Sequence, residues 1–166
     1  REPNLPPEQV RGDCHYRIKL SNSITPHYLF GNYGTVFLTT YLTADLDPDL
    51  PQSQFDLQQI HNAIYNLVNN SVAATPRGGT VTIRTRKSQS GDRQILLEVS
   101  DTGCGMPQHV RQHVFTDETI STKPGGTGLG TKIVGGIVQR HSGRLSVASE
   151  EGEGTTVSVY LPMKQP

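Results

Sequence analysis

Three clusters of residues have the types and spacing to do chemistry together. Asn66 and Asn70 stand four residues apart, with Asn62 four before Asn66, so on a helix they share one face. Amide oxygens are neutral, hard ligands of the kind Mg2+ accepts while keeping phosphate and water in its shell. Residues 101–106 read Asp-Thr-Gly-Cys-Gly-Met, an acid that opens a glycine turn at the end of an apolar, strand-like run. A buried carboxylate there can accept from the exocyclic amine of adenine, and Gly103 and Gly105 permit close backbone approach and positive φ. Residues 125–130 read Gly-Gly-Thr-Gly-Leu-Gly and lead into a helical pattern. Backbone N–H groups at such a helix start hold phosphate. Lys123, with Ser121 and Thr122, lies just before it, within reach of a terminal phosphate. Together the clusters describe a divalent metal, an adenine and a triphosphate in one pocket. Each also has an ordinary reading: asparagines on an exposed helix face, a simple Asp-Thr-Gly turn, or a flexible loop capped by Thr127.

The elements that must position them follow from periodicity. Asp56 is placed to N-cap a helix running to about Ala74, with Ile60, Ile64, Leu67, Val68 and Ser71 or Val72 facing a core. Pro76, Gly78 and Gly79 stop it. Residues 35–42 are β-branched and aromatic and read as a strand, followed by a turn-rich loop over 45–51. Residues 80–86 alternate Val81, Ile83 and Thr85 against Thr82, Arg84 and Arg86; residues 94–100 form the next strand and deliver Asp101. A short helix over 107–115 starts at proline, and residues 116–127 are a long loop without periodicity. A second main helix over 129–141 turns Ile133, Val134, Ile137 and Val138 inward and ends at Gly143. Residues 144–149 and 155–161 form a closing hairpin. Residues 1–34 are irregular, with a weak strand pattern at 16–20. This order predicts a two-layer α/β sandwich, a mixed sheet covered on one face by helices. The division is then an irregular segment over 1–34, of unassigned role, and one domain over 35–166.

Composition bounds the functions available. The chain has 166 residues, enough for a single domain with an ordinary core. Its formal net charge is zero, so bulk electrostatics favour neither nucleic acid nor an anionic membrane. Two cysteines, Cys14 and Cys104, make no disulfide framework and no metal-ligand spacing, and read as free thiols in a reducing compartment. The sequence holds no signal peptide and no apolar run of spanning length. A soluble, cytoplasmic domain follows, cut from a longer protein that could itself be membrane-anchored.

The motifs, taken in order, resemble the catalytic ATP-binding domain of sensor histidine kinases, within the gyrase, chaperone, histidine kinase and MutL superfamily. Asn66-Leu67-Val68-Asn69-Asn70-Ser71 is similar to that family's N box, and residues 101–106 to its first glycine box. Phe115 and then Ser121-Thr122-Lys123 resemble the phenylalanine box and the lid; residues 126–130 resemble the second glycine box. Gly152-Glu153-Gly154-Thr155-Thr156 and Leu161-Pro162 resemble the closing hairpin. The resemblance implies a Bergerat-type ATP-binding fold, with ATP and Mg2+ as ligands. It implies Asn70 as the principal metal ligand and Asn66 as its companion at metal and phosphates. Asp101 would read adenine, with Thr155 joining through water, against a wall shaped by Gly103 and Gly105. Thr127, Gly128, Leu129 and Gly130 would hold phosphates, and Lys123 would sit on a mobile lid. The sequence departs from the pattern at Thr131, where Leu is common, at Ser71, which replaces Ala, and at Ala73 and Ala74, where relatives often carry a residue touching phosphate.

The superfamily's hydrolases carry a base one helical turn before the metal-binding asparagine. Here that position is Asn66, whose amide takes no proton. Asn62, Tyr65 and Asn69 are poor bases, and His61 reads as structural. The expectation is therefore a kinase lobe that positions ATP for a nucleophile from elsewhere. None of His15, His27, His61, His109, His113 and His141 begins the acceptor signature of the family. The acceptor is thus expected on a histidine-containing dimerisation domain absent from this chain, with a response regulator downstream and the isolated domain monomeric. Two other readings stay open: a non-catalytic ATP-binding switch and an anti-sigma-factor-type serine kinase.

Overall fold

The computed structural model describes residues 25–26, 40–51, 53–88, 93–115 and 128–163. In chain order the elements are β1 (Thr25–Pro26), β2 (Tyr41–Leu46), α1 (Leu57–Ala74), β3 (Thr80–Lys87), β4 (Gln94–Asp101), α2 (Gln108–Arg111), α3 (Leu129–Arg140), β5 (Arg144–Glu150) and β6 (Gly154–Pro162). They form one sheet in the order β1-β2-β3-β4-β6-β5. β2 and β3 run parallel and the other neighbours antiparallel, so the sheet is mixed, as expected.

Period-two alternation decides which face is covered. Val81 and Ile83 of β3, Ile95, Leu97 and Val99 of β4, and Val157, Val159 and Leu161 of β6 are buried. Most of them pack with Ala63 and Leu67 of α1 and Val134, Ile137 and Val138 of α3 into one core. The helices therefore lie on one face. The other face carries polar cross-strand pairs: Thr43 with Thr82 at 2.9 Å, Ser100 with Thr156 at 2.8 Å, and Ser158 donating to Glu98 at 3.1 Å.

α1 begins where Asp56 caps it, its Oδ1 accepting from the backbone N–H of Gln59 at 3.0 Å. It ends where the Thr75 hydroxyl donates to the Ser71 carbonyl at 2.6 Å, with Pro76 unable to continue the ladder. Its fully buried stripe is Ala63, Leu67 and Ser71, flanked by the half-buried Ile60, Ile64, Val68 and Val72. The opposite end of the core is clamped by His141, which is buried at the C-terminus of α3. The Asp56 backbone N–H can only donate, so His141 Nε2 accepts it at 3.3 Å, and Nδ1 donates to the Ile137 carbonyl at 2.8 Å. This contact spans 85 residues of sequence and fixes the start of α1 against the end of α3.

Several boundaries differ from the sequence reading. The first long strand covers Tyr41–Leu46 and so takes in Asp45 and Leu46, expected in a loop. Asp45 is held in the strand by Arg84 and Arg86 of the parallel neighbour, Arg84 at 3.6 Å. The short helix is four residues long, since Gln112 to Phe115 continue as turns. The closing strands each gain a residue at the turn, because Glu150 pairs with Gly154. The expected strand over 16–20 and the loop over 116–127 lie outside the described residues. Among the described residues, no helix is long and apolar enough to cross a membrane.

Ile137 is almost wholly buried, so Ile137→Ala should destabilise the domain by about 2–5 kcal/mol in a urea titration; a loss well below that would contradict its central place. The Gln59 backbone N–H, then its side chain, hold the Asp56 carboxyl below its ordinary value near 3.8. A lowered folded value means the cap's contribution is complete above that pH and is lost as pH falls through the folded value. The difference in Tm between wild type and Asp56→Ala should accordingly be constant at neutral pH and vanish in acid; a difference that persisted in strong acid would exclude the carboxylate as its source.

Candidate functional site

The asparagine stripe lies one position before the buried stripe of α1, Asn62, Asn66 and Asn70 beside Ala63, Leu67 and Ser71. That offset of one residue leaves Asn66 and Asn70 half-buried at the margin of the core, while Asn62 is exposed. α3 meets them there. A Cβ added to Gly130 would lie 3.0 Å from Asn66 Oδ1 and 3.6 Å from Asn70 Nδ2, so the start of α3 packs closely on the asparagines and a larger residue would press on the Asn66 amide. Asn66 Nδ2 donates to the Asn62 carbonyl at 2.8 Å and to Asn62 Oδ1 at 2.9 Å. Those two bonds assign the flip of the amide and leave Oδ1 directed at the glycine seam. Gly128 caps α3 in the left-handed region, φ 65°, without a side-chain bond to the first turn. Thr131, a departure from the family pattern, is used locally: its hydroxyl donates to the Gly128 carbonyl at 2.8 Å.

The second cluster is built by cross-strand register. Asp101 faces Val81 of β3 on one side and Thr155 of β6 on the other, and Thr155 faces Ser149 of β5. All four point to the helix-covered face. Asp101 is 6% exposed, and its Oδ1 accepts from the Gly103 N–H at 2.9 Å and the Thr155 N–H at 3.2 Å. The turn after it is pinned on both sides: Cys104 N–H donates to the Ala74 carbonyl at 3.1 Å, and Gly152 N–H to the Cys104 carbonyl at 2.8 Å. The glycines are required by these approaches. A Cβ on Gly103 would meet the Ala74 oxygen at 2.7 Å, and one on Gly105, at φ +64°, would collide with the Glu150 carbonyl.

The structure thus brings Asn66, Asn70, Gly128 and Gly130 to one seam and Asp101, Gly103, Gly105 and Thr155 to one cross-strand row, with α1 running between them. Leu129 stands at the seam, 58% exposed. Lys123 and Thr127 lie outside the described residues. Two contributors escaped the sequence reading. Ser149 is buried and tied to Thr155 and Gly154, and Arg111 donates to the Ser149 carbonyl at 2.7 Å, fastening α2 to the hairpin. For Ser149 the signal was present, a polar residue on the inward phase of Leu145 and Val147; for Arg111 there was none. His61, read as structural, is exposed. A cavity of about 550 Å3 lined by Phe115, Gly135 and Leu145 includes neither the asparagines nor Asp101 in its walls.

An Mg2+ fits the donor chemistry of the seam. Asn66 Oδ1 is a hard oxygen held in place by the two bonds on its amide nitrogen, and Gly130 leaves the space beside it free of side chain. Among the described residues no cluster of three or more His, Cys, Asp or Glu competes as a metal site.

Residues 55–165 match the family model of the histidine kinase-, DNA gyrase B-, and HSP90-like ATPases. The sensory histidine kinase/phosphatase NtrB of Salmonella typhimurium is 36% identical over 132 residues, covering 75% of this chain and 37% of that protein. Sporulation kinase C of Bacillus subtilis is 38% identical over 109 residues, 66% of this chain and 24% of its own length. The chain therefore spans little more than a third of NtrB and a quarter of the sporulation kinase. Among solved structures, a mycobacterial sensor histidine kinase, MprB, superposes with a TM-score of 0.65 at 27% identity, covering 76% of this chain and 86% of that one.

Gly105→Ala should lower stability by more than about 1 kcal/mol, since the position combines positive φ with a backbone collision. Thermal unfolding measures it, and an unchanged Tm would mean the turn is not closed as described.

Proposed function

The chain belongs to the histidine kinase-, DNA gyrase B- and HSP90-like ATPases, and on that premise we propose that it is the catalytic domain of a two-component sensor histidine kinase. It binds Mg-ATP and presents the γ-phosphoryl group to a histidine on a dimerisation domain elsewhere in the full-length protein, from which a response regulator takes the phosphate. The observation that carries the reading is the position one turn before Asn70. It holds Asn66, an amide already committed through its nitrogen to Asn62. Such a group cannot deprotonate water, so it suits a domain that orients ATP over one that hydrolyses it.

In this reading residues 35–166 form the ATP-binding domain and the roles divide along α1. Asp101 Oδ1 is engaged by two backbone donors, so Oδ2 is the oxygen we assign to the adenine amine. Gly103 and Gly105 form the wall against which the base lies, and Thr155 completes the row. Asn70 and Asn66 hold the metal and the phosphates; bound Mg2+ would neutralise phosphate charge. Backbone N–H groups from Thr127 to Gly130 cradle the phosphates at the positive end of α3, and Lys123 approaches the terminal one. The incoming imidazole nitrogen forms a bond to the γ-phosphorus as the bond to the β-phosphate oxygen breaks, and ADP leaves. The domain's part is to place ATP for that displacement.

Two experiments test this. Labelled ATP mixed with this chain and a separate dimerisation domain should yield an acid-labile phosphohistidine on the latter. Label on serine of a partner protein would make it an anti-sigma-type kinase, and no transfer with intact ATP binding would make it a switch module. By calorimetry, Asp101→Asn should weaken ATP by roughly 1–3 kcal/mol, the scale of an unsatisfied polar pair, and Asn70→Ala, which removes the ligand oxygen without adding charge, should weaken it only when Mg2+ is present. Unchanged affinity in either variant would remove that residue from the site.

A further inference from the structure

The cross-strand row around Asp101 uses up its own hydrogen-bond donors. The Gly103 and Thr155 backbone N–H groups both donate to Asp101 Oδ1. One step along the row, Ser149 Oγ lies 2.9 Å from the Gly154 carbonyl and 3.0 Å from Thr155 Oγ1. A carbonyl oxygen only accepts, so the single proton of Ser149 is committed to Gly154. The bond between the two hydroxyls must then run the other way, with Thr155 donating its own single proton to Ser149. Ser149 is buried, 8% exposed, so water does not readily substitute for it. Its position is held from outside the row as well, by Arg111 donating to its carbonyl at 2.7 Å. Thr155, by contrast, is half-buried and stands between Asp101 and Ser149 in the row. What this face presents is a carboxylate oxygen and a hydroxyl oxygen whose proton is turned away: acceptors, with the donors spent internally.

We propose that Ser149 is a positioning residue for base selection: by taking the Thr155 proton it makes Thr155 Oγ1 an acceptor, so that the row admits a purine with a 6-amino group and rejects one with a 6-oxo group. The amino group brings two N–H donors to a face of acceptors, directly or through a water. A 6-oxo group brings a third acceptor and finds no donor, an unpaired polar contact of the kind that gives strong discrimination. The inference rests on the assignment of the Asp101 row to the base.

Calorimetric titration of this chain with ATP and with inosine triphosphate, both with Mg2+, tests it. Wild type should prefer ATP. Ser149→Ala frees the Thr155 hydroxyl to rotate and donate, so the ATP-to-ITP preference should fall roughly three- to tenfold, the worth of one neutral hydrogen bond. Ser149→Thr keeps a hydroxyl and should restore it. A Ser149→Ala variant that weakens both nucleotides by the same factor would show a merely structural residue and overturn the proposal. Thr155→Val is the second probe, should the alanine variant not fold. Loss of an acceptor weakens ATP and spares ITP, whereas loss of a donor would weaken ITP more and contradict the proposal. Asp101→Asn separates the two levels. If wild type has no preference, or Asp101→Asn leaves the preference intact, the base assignment itself fails, and the inference falls with it. If Asp101→Asn abolishes the preference while Ser149→Ala leaves it unchanged, only the role of Ser149 is lost.

Discussion

Asp101 ends β4 with its side chain buried, and a buried polar group left without a partner costs about 1–3 kcal/mol. The fold around it is arranged to supply donors. Both come from backbone, Gly103 in the turn that follows and Thr155 on the adjacent strand. To deliver the Gly103 N–H, the chain must double back immediately after the strand. Doing so drives residues 103–105 against the end of α1 and against the β5–β6 hairpin, where Cys104 is bonded in both directions, to Ala74 and to Gly152. The glycines at 103, 105 and 154 follow from that closure, since each sits where a Cβ would meet backbone. One acid at one strand end thus fixes the relation of a helix, a turn and a hairpin.

α1 carries this constraint to the far end of the site. Its last turn accepts from the glycine turn, and its middle presents Asn66 and Asn70 to the start of α3. The helix is prevented from sliding by its small buried stripe, Ala63, Leu67 and Ser71, and by His141 holding its N-cap, Asp56, to the end of α3. The Asp101 row and the seam between α1 and α3 are therefore coupled through a single packed element. Ser71, an apparent departure from the family pattern, is compatible with this arrangement because a small side chain suffices at that buried position, and its carbonyl receives the Thr75 hydroxyl that ends the helix.

Much of this was legible in the residues. Asp56, the apolar spacing after it and Pro76 marked α1 to the residue at its start, because capping and periodicity are local. Alternation located β3 and β4 and placed Asp101 at a strand end. The asparagine stripe and the glycine turn after Asp101 were readable as clusters, and register then joined Asp101 to Thr155. What escaped reading was non-local. Asp45 looked like loop until Arg84 and Arg86, some forty positions on, were seen to neutralise it within the strand. His141 had no local signature for its bond to Asp56. Ser149 was visible as a polar residue on an apolar phase, but its meaning depends on the direction of a hydroxyl proton, which only the positions of Gly154 and Thr155 determine.

The central claim is that one nucleotide spans both clusters, the base at the Asp101 row and the phosphates at the seam between α1 and α3. Amide chemical shifts of isotopically labelled protein report this directly when adenosine and Mg-ATP are added in turn. Adenosine should move the backbone signals of residues 101–105 and 154–155 and leave the side-chain amides of Asn66 and Asn70 in place. Mg-ATP should move both sets, together with Gly128 and Gly130. Shifts confined to the open face of the sheet, around Leu96 and Tyr160, or asparagine amides indifferent to Mg-ATP, would contradict the account.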